Sequence, residues 1–127
     1  MYQQHQMNND MTQKDKELLL KDLCARLPYN VAIQCKSDDI KYVCYIHTDI
    51  IKEIEYNKCH YDYKPYLFPI SSMTKEQIKE FNSITQRCNT YTGKAILLTD
   101  FCNKHHIDIR GLINIGLAID ATGLKIY

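Results

Sequence analysis

The sequence predicts an α+β fold: an N-terminal helix, a small antiparallel β-meander, then two helices and an extended C-terminal segment. Three observations carry that expectation. Apolar residues recur every three or four positions from Thr12 to Leu27, they alternate with polar ones between Val31 and Tyr56, and helical spacing returns after Met73 behind the pair Thr74 and Gln77. With 127 residues, 45 % of them hydrophobic and 24 % charged, the chain is long enough to enclose one core without staples.

Residues 1–10, MYQQHQMNND, have no apolar period, and a second methionine, Met11, stands directly before the first helical signal. Residues 1–11 are therefore read as a flexible polar tail and 12–127 as a single domain, with Met1 and Met11 both open as the start. In the first helix Leu19, Leu20, Leu23, Cys24 and Leu27 share a stripe, and Glu17–Lys21 and Asp22–Arg26 are i,i+4 pairs outside it. Pro28 ends the helix, because the residue before a proline is pushed out of the α region.

The next stretches alternate. VAIQCKS puts Val31, Ile33 and Cys35 on one face, IKYVCYIH puts Ile40, Tyr42, Cys44 and Ile46 there, and IIKEIEY adds Ile50, Ile54 and Tyr56 with Lys52 interrupting. With Asp38–Asp39 as a tight turn, a meander of three or four antiparallel strands results, one that could curl toward an SH3-like barrel. HYDYKPYLFPI carries two prolines and reads as an edge strand or crossing segment.

Thr74 and Gln77 form a capping box, Met73 and Ile78 a hydrophobic staple, and Ile78, Phe81 and Ile84 the buried face of a second helix. NTYTG reads as a loop, and KAILLTDFCNKHH as a third helix with Leu97, Leu98, Phe101 and Cys102 inward. The remainder holds three of the four glycines. It predicts a short helical turn capped by Asp108, a stop near Gly116 and a final strand or extended tail, whose alternation around Ala121–Gly123 resembles a terminal hairpin.

A net charge of +1 supplies no field to draw nucleic acid or membrane. The N-terminus lacks a signal peptide's basic start and apolar run, and no apolar stretch nears the roughly 18 residues of a membrane span, so a cytoplasmic location is expected. There the six cysteines are free thiols, read as small buried apolar residues.

The stretch DFCNKHHIDIRG holds the closest approach to a metal motif. Cys102, His105 and His106 could lean to one side of a helix, but zinc needs four such ligands and the chain has no Cys-x-x-Cys; Cys59 and His60 would have to complete the set. The alternative reading buries Cys102 with Leu98 and Phe101, and gives the histidines to the helix end, where imidazole meets free carbonyls. No nucleophile elbow, phosphate loop or dinucleotide fingerprint is present, so neither catalysis nor a cofactor is expected.

Tyrosine is the compositional anomaly: ten in all, with Tyr42, Tyr45, Tyr56, Tyr61, Tyr63 and Tyr66 in the sheet region. Aromatics on a small sheet stack bases or anchor partner proteins. Between Val31 and Ile70 five lysines face six carboxylates, whereas a nucleic-acid surface is basic. The tally favours a non-catalytic binding protein that contacts another protein through Tyr42, Tyr45, Tyr61, Tyr63 and Tyr66. A nucleic-acid-binding sheet comes second and a thiol or zinc site at Cys102–His106 third. Neither the partner nor the oligomeric state can be read from the sequence.

The stretches KELLLKDLCARLPYNV, KPYLFPISSMT and HHIDIRGLINIGLAIDATGLKIY together resemble a group of short proteins encoded by anaerobic gut bacteria, their prophages and other mobile elements. The similarity runs from about Met11 to Tyr127 and weakens across the strands. It implies a bacterial or phage origin and favours Met11 as the start, and it brings no activity, cofactor or site residue with it.

Overall fold

The computed structural model describes residues 11–127, which form four helices and a four-stranded sheet. The α+β class is as expected. Of the polar tail, residues 1–10 lie outside the described residues, and Met11 packs partly buried against the core.

Helix α1, Gln13–Arg26, starts where Thr12 Oγ1 accepts the Asp15 N–H at 3.0 Å. Leu19 and Leu23 are wholly buried as the stripe requires, but Cys24 is exposed. Asp22 and Arg26, expected outside the stripe, are also wholly buried. The helix is covered on two sides, by the sheet and by the chain that follows the last helix. Beyond the 3-10 turn Leu27–Tyr29, Asn30 adopts a left-handed φ of 53° that redirects the chain into the sheet.

Strand β1, Ala32–Lys36, buries Ile33 and Cys35 as the alternation predicts. It pairs antiparallel with β2, Lys41–Tyr45, through the Asp38–Asp39 turn, with Cys35 opposite Tyr42 and Ile33 opposite Cys44. The segment IIKEIEY is helix rather than strand: α2 spans Thr48–Glu55. Ile50 and Ile54, four residues apart, are buried while Lys52 and Glu55 are exposed, so the lysine that broke the alternation lies on the outer side of a helix. Burial against α1 overrides the β-branched composition, and Lys16 Nζ fastens the end of α2 by donating to the Glu55 carbonyl at 2.8 Å.

Strand β3, Asp62–Leu67, is an inner strand despite Pro65. It pairs antiparallel with β1 and parallel with β4, Ile119–Asp120, giving the order β2-β1-β3-β4. The proline is tolerated because β4 pairs only with Tyr66 and Leu67, past it. The sheet is open, with β2 and β4 as its edges, and β3 follows a helix, so the strands do not form a simple meander.

Helix α3, Lys75–Arg87, has the expected capping box: Thr74 Oγ1 accepts from Gln77 N at 3.1 Å, and Gln77 Oε1 accepts from Thr74 N at 2.9 Å. Ile84 is buried and Phe81 partly so, but Ile78 is exposed. Helix α4, Tyr91–Lys104, begins inside the expected NTYTG loop, because Thr90 Oγ1 accepts the Gly93 N–H at 3.0 Å and caps it. Phe101 and Cys102 point inward and join Ile84 and Ile107 in a second core, whereas Leu97 is exposed.

After α4, His106 turns the chain with a φ of 59° and the next residues run beside the end of β3. Phe68 N donates to the His106 carbonyl and Asp108 N to the Phe68 carbonyl, both at 2.8 Å. Asp108 caps the following turn as expected, accepting from Leu112 N and Ile113 N at 2.9 Å each. The terminal hairpin does not form. Instead β4 adds to β3 in parallel, and the Tyr127 hydroxyl donates to the Tyr66 carbonyl at 2.7 Å while accepting the Ala32 N–H at 2.9 Å. The reason is that β3 beyond Pro65 offers free backbone groups that a separate hairpin would leave unpaired.

Candidate functional site

Two sets of polar side chains stand out. The first is interior. Arg26 Nε donates to Asp22 Oδ2 at 2.9 Å, and its terminal nitrogens donate to the carbonyls of Ile107 at 2.7 Å and Cys102 at 3.4 Å. Arg110 donates to Asp22 Oδ1 at 2.8 Å and to Asn103 Oδ1 at 3.1 Å. Asp22 thus receives one guanidinium on each oxygen. Every charge in this group is met, so it ties α1, α4 and the C-terminal chain together and leaves no group to hold a ligand.

Cys102, His105 and His106 lie against this network but do not converge. Cys102 packs into the α3–α4 core, where burial raises its thiol pKa despite the nearby Arg26 and Arg110. The His105 ring lies 4.6 Å from that of Phe101, and its Nε2 is 4.0 Å from Glu80 Oε2. His106 stacks on Tyr127 with ring centres 4.0 Å apart and planes 8° apart, its Nδ1 buried without a hydrogen-bond partner. Burial, then Arg26 and His105, pull the His106 pKa from 6.5 down to about 4. Among the described residues no three His, Cys, Asp or Glu side chains come together as a metal set.

The second set lines a cleft of about 190 Å³ between the β1–β2 hairpin, α2 and the start of β3. The alternation of β1 and β2 sends Cys35, Tyr42 and Cys44 to the same face, and α2 adds Ile50 and Glu53 from above. Cys35 and Cys44 meet with their sulfurs 2.9 Å apart. Tyr61 stands edge-on to Tyr42 at 5.5 Å and to Tyr63 at 6.1 Å. Tyr63 donates its hydroxyl to Glu53 Oε2 at 2.9 Å, the other Glu53 oxygen receives the His60 N–H at 3.4 Å, and His47 and His60 stand at the rim.

Of the nominated tyrosines, the cleft therefore gathers Tyr42, Tyr61 and Tyr63. Tyr45 and Tyr66 are one residue out of phase and lie on the opposite face of the sheet, where Tyr66 is buried with Ala32 and Ala121 and Tyr45 is exposed. The five do not form one surface. Glu53 was hidden from sequence reasoning by the strand assignment of its segment. Cys35 and Cys44 were legible as same-face neighbours across a hairpin, and only their mutual contact went unread.

Burial holds three groups of the cleft, Cys35, Tyr42 and Tyr63, in their protonated forms at neutral pH. Burial pushes the Cys35 thiol up to about 12, helped by its hydrogen bond with Cys44, and burial likewise puts Tyr42 at about 12. Tyr63 is raised by burial and then by its bond to Glu53. Neighbouring Cys59, buried beneath, is held near 12 by burial, Glu53 and Asp62. A thiol so far from ionising is a slow nucleophile at pH 7. What the cleft offers is aromatic edges, hydroxyl and thiol groups, and one carboxylate. Its volume falls below the roughly 300–1,000 Å³ of cofactor and small-molecule sites and suits a single inserted side chain.

No helix among the described residues is long and apolar enough to cross a membrane. Compared with protein-family models, curated proteins and solved structures, the chain matches none.

Proposed function

We propose that this is a non-catalytic binding protein of a bacterium or its phage, working in the reducing cytoplasm. It takes an extended segment of a partner protein along the free edge of β2 and one of that segment's side chains in the tyrosine cleft. The observation that carries the reading is the position of β2. It is an edge strand whose Tyr42, Val43 and Tyr45 are each about half exposed, with side-chain accessibilities of 43 %, 46 % and 57 %, and the cleft opens directly beside it. Edge strands are usually blunted by charge; β2 carries only Lys41 at its first residue and is uncharged from Tyr42 to Tyr45, and such an edge beside a pocket is the arrangement used for strand addition. Glu53 amid aromatic rings favours a neutral or cationic inserted side chain.

The test is selection of a random peptide library on the full chain, followed by fluorescence anisotropy with the winning peptides. The expected result is micromolar binding that falls at least tenfold in Tyr42→Ala, which empties the cleft wall, and in Val43→Lys, which charges the edge. Failure to enrich any peptide, or binding indifferent to both substitutions, overturns the reading. An oligothymidine titration provides the competing arm: affinity that falls steeply with salt would establish the nucleic-acid alternative instead.

A further inference from the structure

We infer that Cys35 and Cys44 are a modification site, a dithiol that a low-molecular-weight disulfide converts to an intramolecular disulfide across the β1–β2 hairpin. The inference goes beyond the docking role and does not depend on it. Three observations support it. The sulfurs lie 2.9 Å apart, most of the way to the roughly 2.05 Å of a disulfide. The register, with Cys35 opposite Tyr42 and Cys44 opposite Ile33, makes the pair diagonal neighbours on one face of two directly bonded strands, so closure asks only for a local adjustment of the hairpin. Both cysteines line the cleft, Cys35 wholly buried and Cys44 the more exposed of the two.

The accessibility sets the order of events. Cys44, as thiolate, attacks one sulfur of the small disulfide, forming a mixed disulfide and expelling the first small thiolate. Cys35 then attacks the Cys44 sulfur, passing its proton to the departing second thiolate, which leaves as the thiol. The protein's two thiols are oxidised by two electrons, and one small disulfide is reduced to two thiols. Burial keeps Cys35 protonated, which makes the second step the slow one and makes Cys35 a poor leaving group once the bond exists. The product ties the edge strand to its neighbour beneath the cleft.

The experiment treats the reduced full-length protein with 2-hydroxyethyl disulfide at pH 8, alkylates the remaining thiols and digests with trypsin. Lys36 and Lys41 lie between the two cysteines, so cleavage places Cys35 in Leu27–Lys36 and Cys44 in Tyr42–Lys52. The expected product is these two peptides joined and two hydrogens lighter than their sum, with the other four cysteines alkylated or carrying the small thiol. The midpoint of thermal unfolding should rise by about 5 °C and return on addition of dithiothreitol. Cys44→Ser should lose the linked peptide and leave Cys35 free to alkylate. The inference is overturned if wild-type protein, under conditions that derivatise exposed Cys24, keeps both Cys35 and Cys44 as thiols, stops at the mixed disulfide on Cys44, or links either one to a different cysteine.

Discussion

The interior network around Arg26 and the cleft around Tyr42 are both polar, yet they are built on opposite terms. In the network, Arg26 and Asp22 have no solvent exposure and each charge meets its opposite or a backbone carbonyl. In the cleft, Cys35, Tyr42 and Tyr63 are held neutral by burial, the single carboxylate is shared between a hydroxyl and a backbone N–H, and solvent reaches the walls. The difference teaches where to look for function in this molecule. Charge that is fully spent inside holds the chain together, whereas unspent hydrogen-bonding capacity at an edge is available to a partner.

The largest effect should come from the network. Arg26→Ala leaves the carbonyls of Cys102 and Ile107 with only the backbone N–H groups of Ile107 and Ile109, and Asp22 with only Arg110, and should cost about 3–5 kcal/mol, read as a lower midpoint in urea unfolding. A loss below about 1 kcal/mol would erase the contrast, since it would mean that water or a shifted Arg110 replaces the guanidinium freely.

A smaller effect is expected from acid, at the boundary of the same network. His106 has a depressed pKa in the folded protein, so between pH 6.5 and 4 the unfolded chain binds a proton that the folded chain refuses. Its contribution is complete above pH 6.5 and is lost as the pH falls toward 4, by about 2 kcal/mol once partial exposure is allowed for. Urea titrations at pH 7 and pH 4.5 should show that part of the loss disappear in His106→Phe, which keeps a ring against Tyr127. An unchanged pH dependence would assign the acid sensitivity to carboxylates instead.

The smallest effect on stability belongs to the cleft. Tyr42→Ala removes a half-exposed ring from an edge strand and should cost about 1 kcal/mol or less, while abolishing most of the peptide binding. A loss comparable to that of Arg26→Ala would make Tyr42 a core residue and remove the distinction between the two regions.

The capping box at Thr74 and the buried stripe of β1 were legible because their signals are local: a hydroxyl three residues from an amide, or side chains alternating along one strand. The helix at Thr48–Glu55 was misread because Ile50 and Ile54 satisfy both periods while Tyr56, exposed past the helix end, fits only the strand's, and packing against α1 makes the choice. Without that helix Glu53 has no place in the cleft, so the site could be only partly assembled from sequence.

By itself, then, the sequence determined the fold class, the cap of α3, the β1–β2 hairpin and the turn at Asp108; α1 ends at Arg26, but Leu27 keeps an α conformation and the chain continues through Pro28 as a 3-10 turn. Tertiary structure decided that the Asp22–Arg26 pair is buried, that β3 is an inner strand despite Pro65, that β4 adds in parallel, and that only three of the five tyrosines share a cleft. The physical reason is common to all four. An i,i+4 ion pair, a proline-containing strand, a short C-terminal strand and a tyrosine are each compatible with water or with burial, and what settles the matter is which distant segment arrives to cover them: Arg110 88 residues from Asp22, and Tyr127 95 residues from Ala32.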